Sequence, residues 1–465
     1  MTPKRQRTVQ GSCWPCKQRR VKCDLCRPRC RRCILSGAEC SFDKILVRWN
    51  ARPTKSAPIS YQTPNSPPKL SVPKRLFDST SLAARELKAL DYFQTALWPL
   101  LSTATQPCPP PIPLALESEP VRLAMCELAE THRILRQDNS PMHLQAVSDK
   151  RSDCLASVRK QLDESLSNNQ SLSRVLVAVL LLYFLDGYID CTEQSASTAS
   201  HGVGVRAIVE QLGGFHILME ENQKDVPYML LSEFASTDLT RAILDDRAPC
   251  FPARIWQHMD HCPVWWEKQI YGITLAVVLR TLAQLAFYRQ SIQIGEEDLC
   301  IEKVRDFERS LQPTFQVLSL DHFECPEDDT VSKLELERVN QTIPFTRAFQ
   351  HSALIYLYRA VCGLPPRHHL VQQHVNSCMS CIKAISGTSN AHNCIVFPVY
   401  VVGAHSFVVE QQKDVLEKLD CIFRTLRFNS LLSIRAALEE LWQSEKQEGS
   451  WGGMFTSLRK DVLVL

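Results

Sequence analysis

The sequence predicts an all-α protein that consists of a small cysteine-rich module, a disordered proline-rich linker and a large multi-helix body. Three observations lead to this prediction. Seven of the 20 cysteines fall between residues 13 and 40, and six prolines interrupt residues 53–73. From residue 82 onward, apolar residues recur at three- and four-residue steps, while strand-like alternation is scarce. With 465 residues and 45% hydrophobic composition, the chain has ample material for a large core.

Charge is distributed unevenly along the chain. Residues 1–40 carry eleven Lys and Arg against two acidic residues, a local charge of +9, while the whole chain has a net charge of only +3. A basic head on a mildly acidic body favours a polyanion as the partner of the head. Residues 1–12 form a basic arm with no apolar stretch behind it, so we expect no export signal there and a reducing compartment for the thiols.

The longest apolar run, Val175–Leu185, has eleven residues. A helix that crosses a bilayer needs roughly 20 apolar residues. The run therefore predicts a core helix rather than a membrane span, and no membrane partner is expected.

The spacing C-x2-C-x6-C occurs twice, seventeen residues apart. The two copies comprise Cys13, Cys16 and Cys23, then Cys30, Cys33 and Cys40. A C-x2-C pair suits tetrahedral zinc, and two tetrahedral ions need eight ligand places, which six sulfurs fill when two of them bridge. The symmetric choice of bridging ligands is Cys13 and Cys30. The alternatives are unrelated free thiols, or one site formed by Cys13, Cys16, Cys30 and Cys33.

The residues around these cysteines resemble the binuclear zinc cluster of fungal transcription factors. The match lies in Cys23-Asp24, followed by Pro28, Cys30 and Cys33 in the pattern P-x-C-x-x-C. The resemblance implies two zinc ions, one held by Cys13, Cys16, Cys23 and Cys30, and the other by Cys13, Cys30, Cys33 and Cys40. Cys26 lies outside the pattern, as either a spare thiol or a competing ligand.

Basic residues lie between the ligands of the first copy, while the matching stretch 34–39 of the second copy has none. If residues 16–23 form a short helix, Arg19 and Arg20 project together and can reach the paired acceptors of guanine in a DNA major groove. In the resembled family this stretch reads a CGG triplet, and its base-reading pair aligns with Arg19 and Arg20. The candidates for phosphate contacts are Lys17, Lys22, Arg27 and Arg31. The alternatives are a solvated basic face or a nuclear-import signal.

The linker comprises residues 43–81 after a zinc module at 13–42, and its composition indicates a semi-extended spacer. Many relatives dimerise through a heptad segment after the zinc cluster. No such repeat occurs between residues 41 and 82. A homodimer, if one forms, is therefore expected to use the body.

The body, residues 82–465, is expected to be all-helical, as a stack of antiparallel helix pairs. Its periodic stretches are 82–100, 119–136, 146–166, 171–189, 226–244, 266–290, 335–362 and 411–444. ELKALDYFQTALWPLL, VLVAVLLLYFL and the stretch from His201 to Gly214 are similar to the fungal-specific transcription-factor domain that follows many such clusters. Gly202 and Val205 depart from the usual H-L-x-G-A pattern of that family.

A second C-x2-C, Cys378 and Cys381, lies near His374 and His392 and raises the alternative of a third zinc or a redox pair. Its helical context favours buried cysteines that act as small apolar residues. The chain has no phosphate-binding glycine loop, nucleophile elbow or H-E-x-x-H motif, so we expect a protein that is not an enzyme.

Together these observations predict a nuclear, sequence-specific regulator of transcription that binds double-stranded DNA and the transcription machinery. On the family resemblance it is an activator of metabolic or secondary-metabolite genes. Two alternatives stay open: a body that senses a small metabolite, and a zinc module that binds proteins without reading DNA.

Overall fold

The computed structural model describes residues 13, 16, 21–26, 29–36, 40, 75–104, 108–137, 141–165, 168–191, 198–221, 226–260, 264–267, 273–312 and 329–465. Within these ranges the regular elements are helices, and no strand is present. The chain divides into two units, residues 1–66 and 67–465. The predicted all-α class is confirmed.

The first unit contains the short helix Arg31–Leu35 and a core made of buried cysteines, against which Val21 packs. So few apolar side chains cannot hold a fold, because conformational entropy costs about 1–2 kcal/mol per ordered residue. The predicted linker, 43–81, lies mostly outside the described residues, and the first described helix of the second unit begins at Arg75.

The second unit is a continuous array of helices around one hydrophobic core. Its α-helices are Arg75–Tyr92, Ile112–Glu117, Glu119–Arg136, Pro141–Ser165, Asn169–Phe184, Thr198–Gln211, Phe215–Glu221, Val226–Leu244, Ile255–Met259, Leu275–Gln293, Ile301–Leu311, Asp329–Tyr356, His369–Ala384, Val396–Ala404, Val409–Leu426, Asn429–Trp442 and Trp451–Met454. Helices adjacent in sequence commonly pack on each other, as Asp329–Tyr356 does on His369–Ala384.

Three long helices continue as wider π-helical turns at Phe93–Leu97, Leu185–Ile189 and Leu357–Val361. Such turns insert an extra residue per turn and shift the side chains that follow. The second π turn places Tyr188 in the core beside Phe184, with the two rings stacked at 5.9 Å between centroids.

Several predicted helix bounds were wrong: the helices predicted from residues 82 and 335 begin at Arg75 and Asp329. The stretch 266–290 begins its helix at Leu275, where the Thr274 hydroxyl caps it by accepting a hydrogen bond from the Val277 N–H at 3.4 Å. The stretch 411–444 is two helices, because Arg427 adopts a left-handed conformation with φ of 55° and ends the first one.

The apolar run 175–185 lies in the core, as predicted. By length and composition, one stretch of the described chain, Asn169–Ile189, could span a membrane. However, 89% of the most apolar 18-residue segment of this stretch is buried inside the body. Polar groups flank its end: Arg151 pairs with Asp186 and, at 2.9 Å, with Asp190, while His201 Nε2 lies 3.3 Å from Asp186.

Candidate metal centre and nucleic-acid interface

The structure brings the predicted cysteine sulfurs together in two overlapping groups of four. Within each group all Sγ atoms lie within 4.8 Å of one another. One group is Cys13, Cys16, Cys23 and Cys30, and the other is Cys13, Cys30, Cys33 and Cys40. These are the two groups of at least three Cys, His, Asp or Glu within the described residues that are close enough to hold a metal ion.

The distances between these sulfurs fit tetrahedral zinc. Cys13 Sγ lies 3.6 Å from Cys30 Sγ, 3.6 Å from Cys33 Sγ and 3.8 Å from Cys23 Sγ, and Cys16 Sγ lies 3.7 Å from Cys30 Sγ. Zinc–sulfur bonds of about 2.3 Å place the sulfurs of a tetrahedron about 3.8 Å apart. A disulfide would need about 2.05 Å. The set of donors and its geometry therefore suit two zinc ions with shared sulfurs.

Cys30 is held at the centre of the site by backbone hydrogen bonds. Its Sγ accepts the N–H of Cys33 at 3.3 Å and caps the helix Arg31–Leu35. Its own N–H donates to Cys40 Sγ at 3.3 Å. Because the N-terminus of a helix carries partial positive charge, this position favours a thiolate.

Asp24 joins the two halves of the module. One carboxylate oxygen accepts the Arg31 N–H at 3.0 Å, and the other accepts the Cys26 N–H at 3.4 Å. The carboxylate thus satisfies one of the first N–H groups of the helix, which have no partner within the helix itself. The sequence marked Asp24 only as part of a family pattern, and the structure adds this capping contact.

Burial and the proximity of the thiols to one another together set the pKa values of these cysteines. Burial raises the pKa of Cys13, of Cys33 and, to about 12, of Cys16. Burial also acts to raise the pKa of Cys30, but hydrogen bonds from the Cys33 N–H and from neighbouring thiols lower it to about 6. Closely packed thiolates repel each other, so a divalent cation is what allows the whole set to lose its protons.

The structure places two of the six predicted DNA-contacting residues. Lys22 and Arg31 are exposed. Lys17, Arg19, Arg20 and Arg27 lie outside the described residues. Cys16 is helical and its carbonyl accepts the Val21 N–H at 3.0 Å, whereas residues 21–24 are not helical. The helix predicted across 16–23 therefore does not extend over residues 21–23, and the projection of Arg19 and Arg20 stays a prediction.

Cys26 is exposed, and its sulfur belongs to neither group of four. The spare-thiol interpretation fits this position. The second C-x2-C pair does not assemble a metal site with the nearby histidines: Cys378 is buried in helix His369–Ala384, and its Sγ donates to the Ala348 carbonyl at 3.3 Å. His374 instead faces His351, with 3.0 Å between the two Nδ1 atoms.

Comparison with known proteins agrees with this site. The Fungal Zn(2)-Cys(6) binuclear cluster domain matches residues 11–48, and the Fungal specific transcription factor domain matches residues 88–464. The zinc domain binds two zinc ions through six cysteines. No solved structure matches the chain significantly.

Two curated yeast proteins are similar to this chain. Arginine metabolism regulation protein II of Saccharomyces cerevisiae is 39% identical over 64 residues, which are 14% of this chain and 7% of that protein. An uncharacterized transcriptional regulatory protein of Schizosaccharomyces pombe is 20% identical over 511 aligned positions, 95% of this chain and 93% of its own length.

The family match covers most of the body, and the module before it has the sulfur geometry of a two-zinc site. Both relatives are named as regulators rather than enzymes. The chain therefore belongs to the fungal zinc-cluster transcription factors, as a transcription regulator with a zinc-cluster DNA-binding domain and a fungal-specific transcription factor domain.

Proposed function

We propose that this regulator acts in the nucleus, reads CGG-type triplets in the major groove of double-stranded DNA, and activates RNA polymerase II transcription of metabolic genes. The observation that carries the proposal is the pair of overlapping sulfur groups, with a basic six-residue stretch between the second and third ligands of the first copy and no basic residue in the matching stretch of the second. Basic residues clustered in this way give the module a face for a polyanion.

Six cysteines and six basic residues of the module have proposed roles. The ligands are Cys13, Cys16, Cys23, Cys30, Cys33 and Cys40. When bound, zinc neutralises the thiolates and supplies folding free energy that so small a core lacks. Arg19 and Arg20 read guanine, because paired N–H donors match the O6 and N7 acceptors. Lys17, Lys22, Arg27 and Arg31 hold phosphates; the exposure of Lys22 and Arg31 supports this role.

The proposed division of the chain assigns these roles to separate segments. Residues 1–12 are a basic arm, 13–42 the zinc module, 43–81 a linker, and 82–465 a regulatory body that contacts the transcription machinery. A homodimer, if one forms, uses the body, because no heptad repeat occurs between 41 and 82. Sedimentation of full-length protein and of residues 1–81 tests this: dimerisation of the shorter chain would contradict it.

Binding-site selection from random duplex DNA tests the reading of DNA. The experiment uses zinc-loaded, full-length protein at near-physiological salt, in parallel with an Arg19→Ala, Arg20→Ala double variant. We expect enrichment of CGG-containing sites by the unmodified chain and loss of that enrichment in the double variant. The selected sites also show whether one triplet or a spaced pair is bound.

Controls separate base reading from general charge. Arg31→Ala should weaken binding to all sequences about equally and reduce the slope of log K against log salt by about 1. Arg424→Ala, an exposed arginine of the body, should change neither. With about four phosphate contacts, affinity should fall roughly 100-fold between about 50 and 200 mM salt.

The rival function, a protein-binding module that never touches DNA, predicts a different result. If the module only binds proteins, folded protein with two zinc ions should enrich no DNA sequence. The arginine substitutions should then have no effect on nucleic-acid affinity. That outcome would overturn the proposal and direct the search to protein partners of the module.

A further inference from the structure

The body contains a small cavity of about 30 Å³. It lies where segments from distant parts of the chain meet: the turn Trp98–Leu101, the π turn Leu185–Ile189, helix Val226–Leu244, and residues 393–396, 426–431 and 463–465. Most of its wall is apolar. Leu100 is half-buried at its edge, while the other lining residues are buried.

Two hydrogen-bond acceptors line this cavity without a partner. Glu233 is 3% exposed, and its Oε2 accepts no hydrogen bond from the described residues. Asn393 is 8% exposed, and its Oδ1 likewise accepts no hydrogen bond from them. Leaving a polar atom buried and unpaired costs about 1–3 kcal/mol. Two such acceptors at one cavity suit a ligand that brings several donors, and they disfavour an anion.

Charge narrows the class of ligand. Among the described residues that line the cavity there is no Lys, Arg or His, so none of them gives Glu233 a cationic partner. Burial raises the pKa of Glu233 to about 8, although a hydrogen bond with Tyr188 acts in the opposite direction. The other titratable side chains that line the cavity, Tyr188 and Cys394, have pKa values raised chiefly by burial and stay neutral near pH 7. A cation would therefore be the group that ionises Glu233.

The volume of the cavity limits the size of the ligand. A cavity needs about 10–15 Å³ for each water-sized group that it holds. The free space of about 30 Å³ therefore accommodates two or three heavy atoms. An alkylammonium ion of this size has three N–H donors at one end, and its carbon atoms can contact Leu431 and Leu465.

We propose that this cavity is a binding site for a small protonated primary amine, of the size of methylammonium or ethylammonium. The ammonium group donates to Glu233 Oε2 and Asn393 Oδ1, and the alkyl group lies against the leucines. A neutral alcohol of the same shape has one donor and no charge, so it satisfies only one acceptor. Bound amine links segments far apart in sequence and stabilises the folded body.

Thermal unfolding of the full-length, zinc-loaded protein tests this proposal. Methylammonium, ethylammonium and sodium chlorides are compared at equal ionic strength and pH 8, with ethanol as the neutral counterpart of ethylamine. We expect a saturable rise in the unfolding temperature of the body with each amine, and none with sodium or ethanol. An absence of any rise, or an equal rise with ethanol, would overturn the proposal.

A matched pair of variants identifies the site. Glu233→Gln keeps the shape of the side chain and removes its charge, so the amine-dependent rise should disappear. Glu308→Gln, a carboxylate that instead accepts the Tyr358 hydroxyl at 2.7 Å, should retain it. An amine effect that is equal in both variants would place the binding elsewhere and overturn the proposal.

The pH dependence of the unmodified chain gives a second test that does not depend on a variant folding. Alkylamines stay protonated up to about pH 10, as Lys does. Amine affinity should rise between pH 6 and 8.5 as Glu233 becomes easier to ionise, while Tyr188 and Cys394 remain neutral. An affinity that is flat across this range would contradict the assignment to Glu233. None of these measurements involves DNA, so their outcome is independent of the proposed reading of CGG.

Discussion

Arg359 donates its Nε hydrogen to Nε2 of His405 at 3.3 Å, inside the core of the body. His405 is fully buried, and its Nδ1 lies 2.8 Å from the Val401 carbonyl. Nε2 must therefore be the unprotonated nitrogen, with the proton on Nδ1. The two Nη atoms of Arg359 donate to the carbonyls of Leu364 and Gly449. A neutral histidine thus completes the hydrogen bonding of a buried cation.

This pair predicts loss of stability in acid. Burial, together with Arg359, lowers the pKa of His405 to about 3. The unfolded chain takes up a proton near pH 6.5 and the folded chain does not, so this stability is present above pH 6.5 and is lost as pH falls. From pH 7 to 5 the loss is about 2 kcal/mol for this residue. Urea unfolding across this range measures it.

A variant separates His405 from the other histidines. His405→Gln should reduce the dependence of unfolding free energy on pH by the part that belongs to this residue, and the rest remains because other buried histidines, such as His201 and His351, also have lowered pKa values. His369→Gln, at an exposed position, is the control substitution. An unchanged pH dependence in His405→Gln would contradict the interpretation.

Asp24 predicts an effect on metal affinity without being a metal ligand. Asp24→Ala removes the acceptor of the Arg31 N–H and should destabilise the folded module by about 1 kcal/mol. Because folding and metal binding are coupled, zinc affinity should fall about fivefold. Competition with a chromophoric chelator measures it. Asp24→Asn keeps one acceptor oxygen and should show a smaller loss; equal losses would mean that charge rather than capping is responsible.

The cysteines predict a contrast in metal content. Cys30→Ser removes a sulfur that belongs to both groups of four, so both ions should be lost or weakly held. Cys26→Ser alters an exposed sulfur that belongs to neither and should retain two ions per chain. Native mass spectrometry counts the ions. A chain that loses zinc on the Cys26 substitution would make Cys26 a ligand.

Two glycines predict opposite effects on the stability of the body. A Cβ at Gly187 would collide with the Leu463 side chain, so Gly187→Ala should destabilise the body by about 1–3 kcal/mol. A Cβ at Gly202 would lie 3.8 Å from Tyr183, an ordinary contact, in a helix where Ala is favoured over Gly by up to about 1 kcal/mol. Gly202→Ala should therefore be neutral or stabilising in thermal unfolding. Destabilisation by both would contradict the packing at Gly202.

Much of the fold could be predicted because its signals are local. Helices Glu119–Arg136 and Val226–Leu244 have the bounds that periodicity predicted. The end of a helix at Arg427 was not predicted, because apolar periodicity continues across this residue. Its left-handed conformation does not alter the pattern of apolar residues. Helix Val396–Ala404 was missed because VFPVYVVGA is short, apolar and rich in β-branched residues, and only burial on all sides makes it a helix.

The two candidate sites differ in the same way: local sequence marks the metal centre, whereas only packing forms the cavity. Spacing marked the six cysteines because they lie within thirty residues of one another, and the family resemblance implied how they divide into two groups. Glu233 and Asn393 are far apart in sequence, and neither has a neighbour that marks it. Only the packing of several helices brings them to one cavity, so no local pattern could have indicated that site.

In the proposed assignment, Cys13 and Cys30 each serve both zinc ions. In a chain that has lost one ion, the Cys13 and Cys30 thiolates coordinate only one zinc ion instead of two. The helix Arg31–Leu35, which Cys30 caps, is then less stabilised. We therefore expect a half-loaded module to be less stable than a fully loaded one, so that the first ion favours binding of the second. The regulator would respond to free zinc as a threshold: below it no chain has a DNA-binding head, and slightly above it nearly every chain does.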